Sequence, residues 1–102
     1  MYHKIQRKLQ KIIYSLDIFK YEGNVLRIKG WMFSESSEIE DISIVLRSKS
    51  QKWSLMAETR VERIDVYNHH KKNKNALNSG FYTMVLVKGL EKGRVWIEYT
   101  KE

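Results

Sequence analysis

The chain has 102 residues, of which 42% are hydrophobic, and its 19 Lys and Arg against 12 Asp and Glu leave a formal net charge of +7. This length and composition are typical of one globular domain with a single core. Cysteine is absent, which excludes disulfides, thiolate metal sites and cysteine nucleophiles. Proline is also absent. The positive charge favours an acidic partner, whether nucleic acid, anionic lipid or anionic polysaccharide.

Residues 1–16 are predicted to form an amphipathic helix ahead of the main domain. Apolar side chains recur at helical spacing, and basic side chains gather on a neighbouring face. The apolar set is Tyr2, Ile5, Leu9, Ile12, Ile13 and Leu16, and the basic set is Lys4, Arg7, Lys8 and Lys11. Two interpretations stay open. The helix either packs on the domain with its basic face in solvent, or it contacts an anionic membrane or another part of a larger protein.

From Asp17 onward, apolar and polar residues alternate, which indicates β-strands. A tight turn at Glu22-Gly23-Asn24 joins the first two strands. Five later strands are predicted: ISIVLRS, KWSLMAETRV, RIDVY, GFYTMVLV and RVWIEYT, of which GFYTMVLV is apolar on both faces, as a central strand would be. The residues predicted to share one face are Ile42, Ile44 and Leu46 in the first strand, and Trp53, Leu55, Ala57 and Val61 in the second. Those predicted to point inward are Ile64 and Val66 in RIDVY, and Val95, Ile97 and Tyr99 in RVWIEYT. About seven short strands predict an all-β domain over residues 17–102. We expect an antiparallel β-sandwich, with an open barrel such as an OB-fold as the alternative.

No pattern in the sequence is typical of catalysis. The Gly-x-Ser-x-Gly elbow, the Walker-type loop and the His-Glu-x-x-His motif are all absent. Glu38, Glu40 and Asp41 lie in a polar turn, where solvated carboxylates are common. We therefore predict a non-enzymatic protein without catalytic residues.

The segment HHKKNKNALNS is predicted to be a basic loop. Adjacent histidines on an extended chain point to opposite faces, and the nearby lysines repel a cation, so neither a metal site nor another cofactor is predicted. The lysines are Lys71, Lys72 and Lys74. We interpret the loop as solvated, with contact to an anion as the alternative.

Arg63, Asp65 and Tyr67 share one face of the predicted RIDVY strand, because side chains alternate along a strand. One interpretation is a structural ion pair that orients the basic loop. The other is a polar clamp for sugar hydroxyls beside an aromatic ring.

Two tryptophans are candidates for such a ring. Trp96 shares a strand face with Arg94 and Glu98, opposite the predicted core residues. Alternation places Trp31 on an outward face as well, unless a bulge at Gly30 turns it into the core. An exposed indole among charged groups suits stacking against a sugar, stacking against a base, or a protein interface.

Three segments, VLRIKGWMF at 25–33, RIDV at 63–66 and SGFYTMVLV at 79–87, resemble together a β-sandwich accessory domain of bacterial glycosyltransferases that build cell-surface polysaccharides. The resemblance spans roughly residues 18–100. Met32 stands where that family has a small residue, and no Asp-x-Asp metal site of a glycosyltransferase is present. The matched positions are Gly30, Trp31, Arg63, Asp65, Gly80 and Phe81, most of which we expect to define the fold.

The resemblance implies a non-catalytic module that binds carbohydrate, or docks to a glycosyltransferase or its polymer. The expected carbohydrate contacts are Trp96, Tyr67, Arg63, Asp65, Trp31 and Arg94. The expected contacts with a membrane or another anion are Lys4, Arg7, Lys8, Lys11, Lys71, Lys72 and Lys74. The alternatives are a small OB-like domain for single-stranded nucleic acid and a purely structural interaction domain. The N-terminus lacks a signal-peptide pattern, so we expect a cytoplasmic location, at the inner face of the membrane if the helix holds it there.

Overall fold

The structure of the protein is a computed structural model that describes residues 2–5, 12–48, 51–90 and 93–101. Its elements in chain order are β1 (Tyr2–Ile5), β2 (Ile12–Glu22), β3 (Val25–Ser34), β4 (Ile39–Arg47), β5 (Lys52–Met56), β6 (Glu58–Val61), α1 (Ile64–His69), α2 (Lys74–Leu77), β7 (Gly80–Leu86) and β8 (Arg94–Lys101). The strands form two four-stranded sheets: sheet A with the order β1-β8-β4-β5, and sheet B with the order β2-β3-β7-β6. Among the described residues, every strand pair except the parallel β1–β8 pair is antiparallel. The prediction of an all-β chain is confirmed.

One apolar core draws buried side chains from both sheets. Sheet A contributes Ile42, Ile44, Leu46, Val95 and Ile97, and sheet B contributes Leu26, Ile28, Met32 and Phe81. The alternation predicted for β4 and β8 is therefore confirmed, because Ile42, Ile44, Leu46, Val95 and Ile97 all lie on the inner face. The residues between them, which include Val45 and Trp96 as well as polar residues, form the outer face of sheet A.

The predicted turn between the first two strands is also confirmed. Gly23 and Asn24 connect β2 to β3, and their φ angles of 59° and 64° place both in the left-handed region. Two central residues with positive φ are typical of the type I′ turn, whose twist matches that of the flanking strands. The hairpin gives sheet B its two longest strands.

The prediction of a helix over residues 1–16 is wrong at both described ends. Residues 2–5 form β1, and β2 begins at Ile12, so that the predicted boundary between residues 16 and 17 falls within a strand. Ile12 belongs to the main core, whereas its neighbour Ile13 packs against a second cluster on the other face of sheet B. A helix would have put these adjacent residues on one side, but a strand presents them to two separate apolar surfaces. Arg7, Lys8 and Lys11 lie outside the described residues.

The single strand predicted for KWSLMAETRV is divided between the two sheets. β5 pairs with β4 in sheet A, and β6 pairs with β7 in sheet B. Ala57 lies at the crossing, is buried, and donates its backbone N–H to the carbonyl of Ile42 at 2.9 Å. Beyond this crossing the alternation changes, and Val61, which was predicted to face the core, is exposed.

The strand predicted for RIDVY is instead the short helix α1. Val66 is buried as predicted, but Ile64 is 55% exposed because a helix turns it away from Val66. The second cluster consists of Phe33, Val66 and Ala76, with Ile13 and Trp31 packed against it. The two short helices therefore cover one end of the outer face of sheet B, and that apolar contact holds them in place.

The predicted central position of GFYTMVLV is confirmed, because β7 lies between β3 and β6. Its outer face beyond the helices is open, and Met84 and Leu86 are exposed there. In the described part of the chain, no helix has the length and apolar character required to cross a membrane.

Candidate functional site

The six residues predicted to contact carbohydrate lie on two separate surfaces. Arg94 and Trp96 belong to β8 in sheet A. Trp31 lies on β3 in sheet B, and the remaining three residues, Arg63, Asp65 and Tyr67, are in or next to α1. Because both tryptophans lie on outer faces of sheets that share one core, the two groups cannot form one binding site.

Arg63 is the centre of a structural network. Its Nε and Nη2 atoms donate to the two carboxylate oxygens of Asp65 at 3.0 and 2.9 Å, and its Nη1 donates to Asp17 at 2.7 Å. Its backbone N–H donates to the carbonyl of Leu77 at 2.7 Å. The side chain is 17% exposed, so most of its surface is already covered by the protein. This network supports the interpretation of Arg63 and Asp65 as a structural ion pair.

Asp17 reaches this network because β2 contains a bulge. The register of β2 against β3 shifts between Leu16 and Ile18, which leaves Asp17 without a partner on β3. A bulge redirects the extra residue, and here it brings the carboxylate to Arg63. The bulge lies in β2, whereas the sequence had suggested a possible bulge at Gly30 in β3. Trp31 therefore keeps its outward direction.

The ion pair changes the acidity of both partners. Hydrogen bonds from the Arg63 guanidinium lower the pKa of Asp65 to about 2. The same hydrogen bonds, together with the one to Asp17, raise the pKa of Arg63 further above its usual value. Both groups are therefore charged throughout the physiological pH range.

Trp31 is half-buried in an aromatic group beneath the basic loop. Its ring lies 5.1 Å from that of His70 and 6.0 Å from that of Phe33. Lys71 and Lys72, which follow in the loop, both have a φ of 55° in the left-handed region. His70 thus packs toward the sheet while the exposed Lys71 and Lys72 extend from the surface. Tyr67 is half-buried on α1, and Lys74 is exposed in α2.

Trp96 occupies a different environment on the outer face of sheet A. Its indole N–H donates to the carboxylate of Glu98 at 2.8 Å, which fixes the orientation of the ring. Val45 lies directly opposite on β4 and is only 2% exposed, although it faces away from the core. Its outer-face neighbours therefore cover it, and Trp96 is the largest of them. The ammonium group of Lys52 is 5.7 Å from the centroid of the ring.

Three cations lie in a row beside this tryptophan. Strand register places Lys52 directly opposite Arg47, and Arg47 directly opposite Arg94. All three side chains are exposed, and none forms a salt bridge with any residue that the structure describes. We call Lys52, Arg47 and Arg94 the cation row, and we call the row together with Trp96 and Glu98 the Trp96 face. The backbone of Lys4 in β1 pairs with Trp96 at the edge of this face.

The cation row places like charges on neighbouring strands. Like charges directly opposite each other on neighbouring strands destabilise a sheet. A bound polyanion would remove this repulsion. The sequence identified Trp96 and Arg94 but missed Arg47 and Lys52, because their proximity depends on the register of three strands.

A cleft at the end of β3 was not predicted from the sequence. This cleft of about 420 Å³ opens where β3 leads into β4, and β6 and the segment from α2 to β7 form its other walls. Glu38 and Arg60 both line the cleft and form an ion pair at 2.7 Å. From the sequence, Glu38 is only one of several acids in a turn, and no local pattern points to Arg60.

No group of three or more His, Asp or Glu side chains capable of holding a metal ion occurs among the described residues. Comparison of the chain with protein-family models, with curated proteins and with solved structures reveals no significant similarity.

Proposed function

We propose that the protein is a non-catalytic module that binds an acidic polysaccharide through the Trp96 face. The observation that carries the proposal is the position of an oriented indole ring beside three cations that have no acidic partner within the described chain. The ring would take the C–H face of a sugar, and the cation row would take carboxylate or phosphate groups along the polymer.

The orientation of Trp96 supports stacking. Its hydrogen bond to Glu98 holds the indole in one rotamer, so little side-chain freedom is lost on binding. Lys52 rests above the ring through a cation–π contact, which at an exposed site contributes only about 0.5–1 kcal/mol. A sugar would displace the ammonium group at small cost, and the displaced group would then be free to pair with the acidic substituent of that sugar.

The spacing of the cation row supports a polymeric ligand. Neighbouring strands lie about 4.8 Å apart, so three residues side by side across β5, β4 and β8 extend over about 10 Å. Three cations over that length suit a ligand with several acidic groups along one chain, whose successive groups would contact successive cations.

The biological context rests on the resemblance to accessory domains of glycosyltransferases that build bacterial cell-surface polysaccharides. Two sheets around one core support the β-sandwich that this resemblance implies. We place the module in the cytoplasm, docked to a catalytic domain whose polysaccharide product or acceptor it retains. The N-terminal segment with Arg7, Lys8 and Lys11 would add contacts to the anionic inner face of the membrane.

Calorimetric titration with a polyuronate tests the proposal, with dextran as the uncharged comparison. We expect Trp96→Ala to weaken polyuronate binding about fivefold or more, because loss of one stacked ring costs about 1 kcal/mol or more. We expect Arg94→Gln to weaken binding by a few-fold and to reduce its dependence on salt. Arg27→Gln is the matched control, since it removes an equal charge from the outer face of sheet B.

Equal losses in Arg27→Gln and Arg94→Gln would mean that only net charge matters, and would refute the Trp96 face as a site. Nucleic acid is the competing ligand, because an aromatic ring beside cations also suits single-stranded bases. Tighter binding of an oligonucleotide than of the polyuronate at the same salt concentration would favour that alternative.

A further inference from the structure

The cleft between β3, β6 and the segment from α2 to β7 has the properties of a separate small-ligand site. Its volume of about 420 Å³ lies within the range of about 300–1,000 Å³ that is usual for pockets that bind small molecules. Ile39 and Ile42 line its apolar part, and the polar part includes hydroxyl, amide, carboxylate and guanidinium groups together with Lys74. The cleft is not part of the Trp96 face, because none of its lining residues belongs to that face.

A bulge in β6 turns two of the polar side chains toward this cleft. Glu58 pairs with Tyr82 and Val61 pairs with Gly80, so that Thr59 and Arg60 together lie opposite Phe81. Two residues against one is the arrangement of a β-bulge, which re-aims side chains and is frequent next to functional sites. Both residues of the bulge line the cleft.

Arg60 also has a strained backbone. Its φ of 60° lies in the left-handed region, which a residue with a long side chain seldom occupies and which costs on the order of 1–2 kcal/mol. Asparagine adopts that conformation more readily, so backbone preference alone does not explain an arginine here. The guanidinium group is used at the cleft, where its Nη1 donates to Glu38 at 2.7 Å.

The opposite wall is held in place by α2. The Asn75 side chain donates to the backbone carbonyl of Ser34 at 2.9 Å, which ties the helix to the end of β3. The side chains of Thr59 and Asn78 also line the cleft, and neither forms a hydrogen bond with another described residue. These two groups are therefore available to a ligand.

We propose that this cleft binds a single uncharged sugar unit. Vicinal hydroxyl groups both donate and accept, and the Glu38–Arg60 pair presents acceptor oxygens beside donor nitrogens for such a diol. Thr59 and Asn78 would meet further hydroxyls, while Ile39 supplies an apolar surface for the C–H face. Glu38 and Arg60 neutralise each other, so this pair does not select for a charged ligand, and the exposed Lys74 is the one further charged group among the described residues that line the cleft.

The test is a nuclear magnetic resonance titration of the ¹⁵N-labelled chain with glucose, galactose and N-acetylglucosamine. We expect saturable shifts of the Glu38, Thr59, Arg60 and Asn78 amides for at least one sugar, with an affinity that does not change on addition of salt. Arg60→Asn should weaken binding about tenfold while keeping or raising thermal stability, because asparagine tolerates the left-handed backbone. Glu38→Gln should weaken binding without changing the backbone strain at Arg60.

Two controls separate this site from general effects and from the Trp96 face. Glu22→Gln removes one partner of the exposed Lys20–Glu22 pair, far from the lining residues, and should leave sugar binding unchanged. The indole signal of Trp96 is followed in the same spectra as the second control, so the cleft and the polysaccharide site can fail independently. The inference is overturned if no cleft amide shifts with any of the sugars, or if both Arg60→Asn and Glu38→Gln bind as the original chain does.

Discussion

Replacement of Gly30 by alanine should destabilise the protein more than the same replacement at any open glycine. Gly30 lies directly opposite Phe81, and Trp31 lies directly opposite Gly80, so the two Gly-aromatic pairs meet at the centre of sheet B. A Cβ atom on Gly30 would stand 2.4 Å from the backbone oxygen of Ser15 and 3.1 Å from the Cα of Leu16. Neither neighbour is a flexible side-chain end, so β2 itself would have to move.

The cost follows from this geometry. Overpacking a well-filled site costs about 1–3 kcal/mol, and the upper part of that range applies where backbone must shift. A loss of about 3 kcal/mol lowers the melting temperature of a domain of this size by more than ~12 °C. Gly23 offers the contrast, because its Cβ would meet nothing within 4 Å and the strain comes from its φ of 59° alone. We expect Gly23→Ala to cost about 1 kcal/mol and Gly23→Asn close to nothing.

Urea and thermal unfolding of Gly30→Ala, Gly30→Asn, Gly23→Ala and Gly23→Asn, followed by circular dichroism, separate the two causes. Asparagine should rescue position 23 but not position 30, since steric conflict does not depend on the preference of the residue for positive φ. Equal stabilities of Gly30→Ala and Gly23→Ala would refute the close approach of β2 to β3.

Three further predictions concern single side chains. Thr83→Val should raise the free energy of unfolding by about 1 kcal/mol in urea titrations, because Thr83 Oγ1 is buried with no hydrogen-bond partner among the described residues. A loss of stability in this variant would contradict the prediction. Because folding lowers the pKa of Asp65 from 3.8 to about 2, the stabilising contribution of Asp65 is complete above about pH 4 and is lost as the pH falls through 2. Titration of the Asp65 carboxyl group by nuclear magnetic resonance measures this pKa, and an ordinary pKa would exclude the ion pair. Arg63→Met should lower the melting temperature without changing polyuronate affinity, and weaker binding would restore Arg63 as a ligand contact.

Strands were predictable wherever one face meets the core and the other meets solvent. β4 and β8 show this pattern, with Ile42, Ile44, Val95 and Ile97 all inward. The turn at Gly23-Asn24 was predictable for a different reason, since few residue pairs accept two successive positive φ angles. In both cases the determining interaction is local or repeats at a fixed period.

The errors occurred where both faces of a segment are covered. Ile12 and Ile13 contact different clusters, and this pair of adjacent apolar residues imitates helical spacing. The RIDV segment is too short for periodicity to distinguish strand from helix. Its helical form depends on the position of Val66 in the second cluster and on the contacts of Arg63 with Asp17, which is distant in sequence.

The candidate sites were predictable only in part. The outward position of Trp96 followed from alternation along β8. The cation row did not, because Arg47 and Lys52 join Arg94 only through the register of β5, β4 and β8. The positions of Thr59 and Arg60 at the cleft depend on a bulge in β6, and no glycine or other turn residue in the sequence indicates that bulge.

The most direct measurement of the central claim is a ¹H–¹⁵N spectrum of the chain during titration with polyuronate. The sequence contains three tryptophans, so each indole N–H gives its own signal. We predict that the indole signal of Trp96 and the backbone amides of Arg47 and Arg94 shift together and saturate, while the indole signals of Trp31 and Trp53 stay unchanged. Binding that shifts Trp31 and leaves Trp96 unmoved would contradict the account.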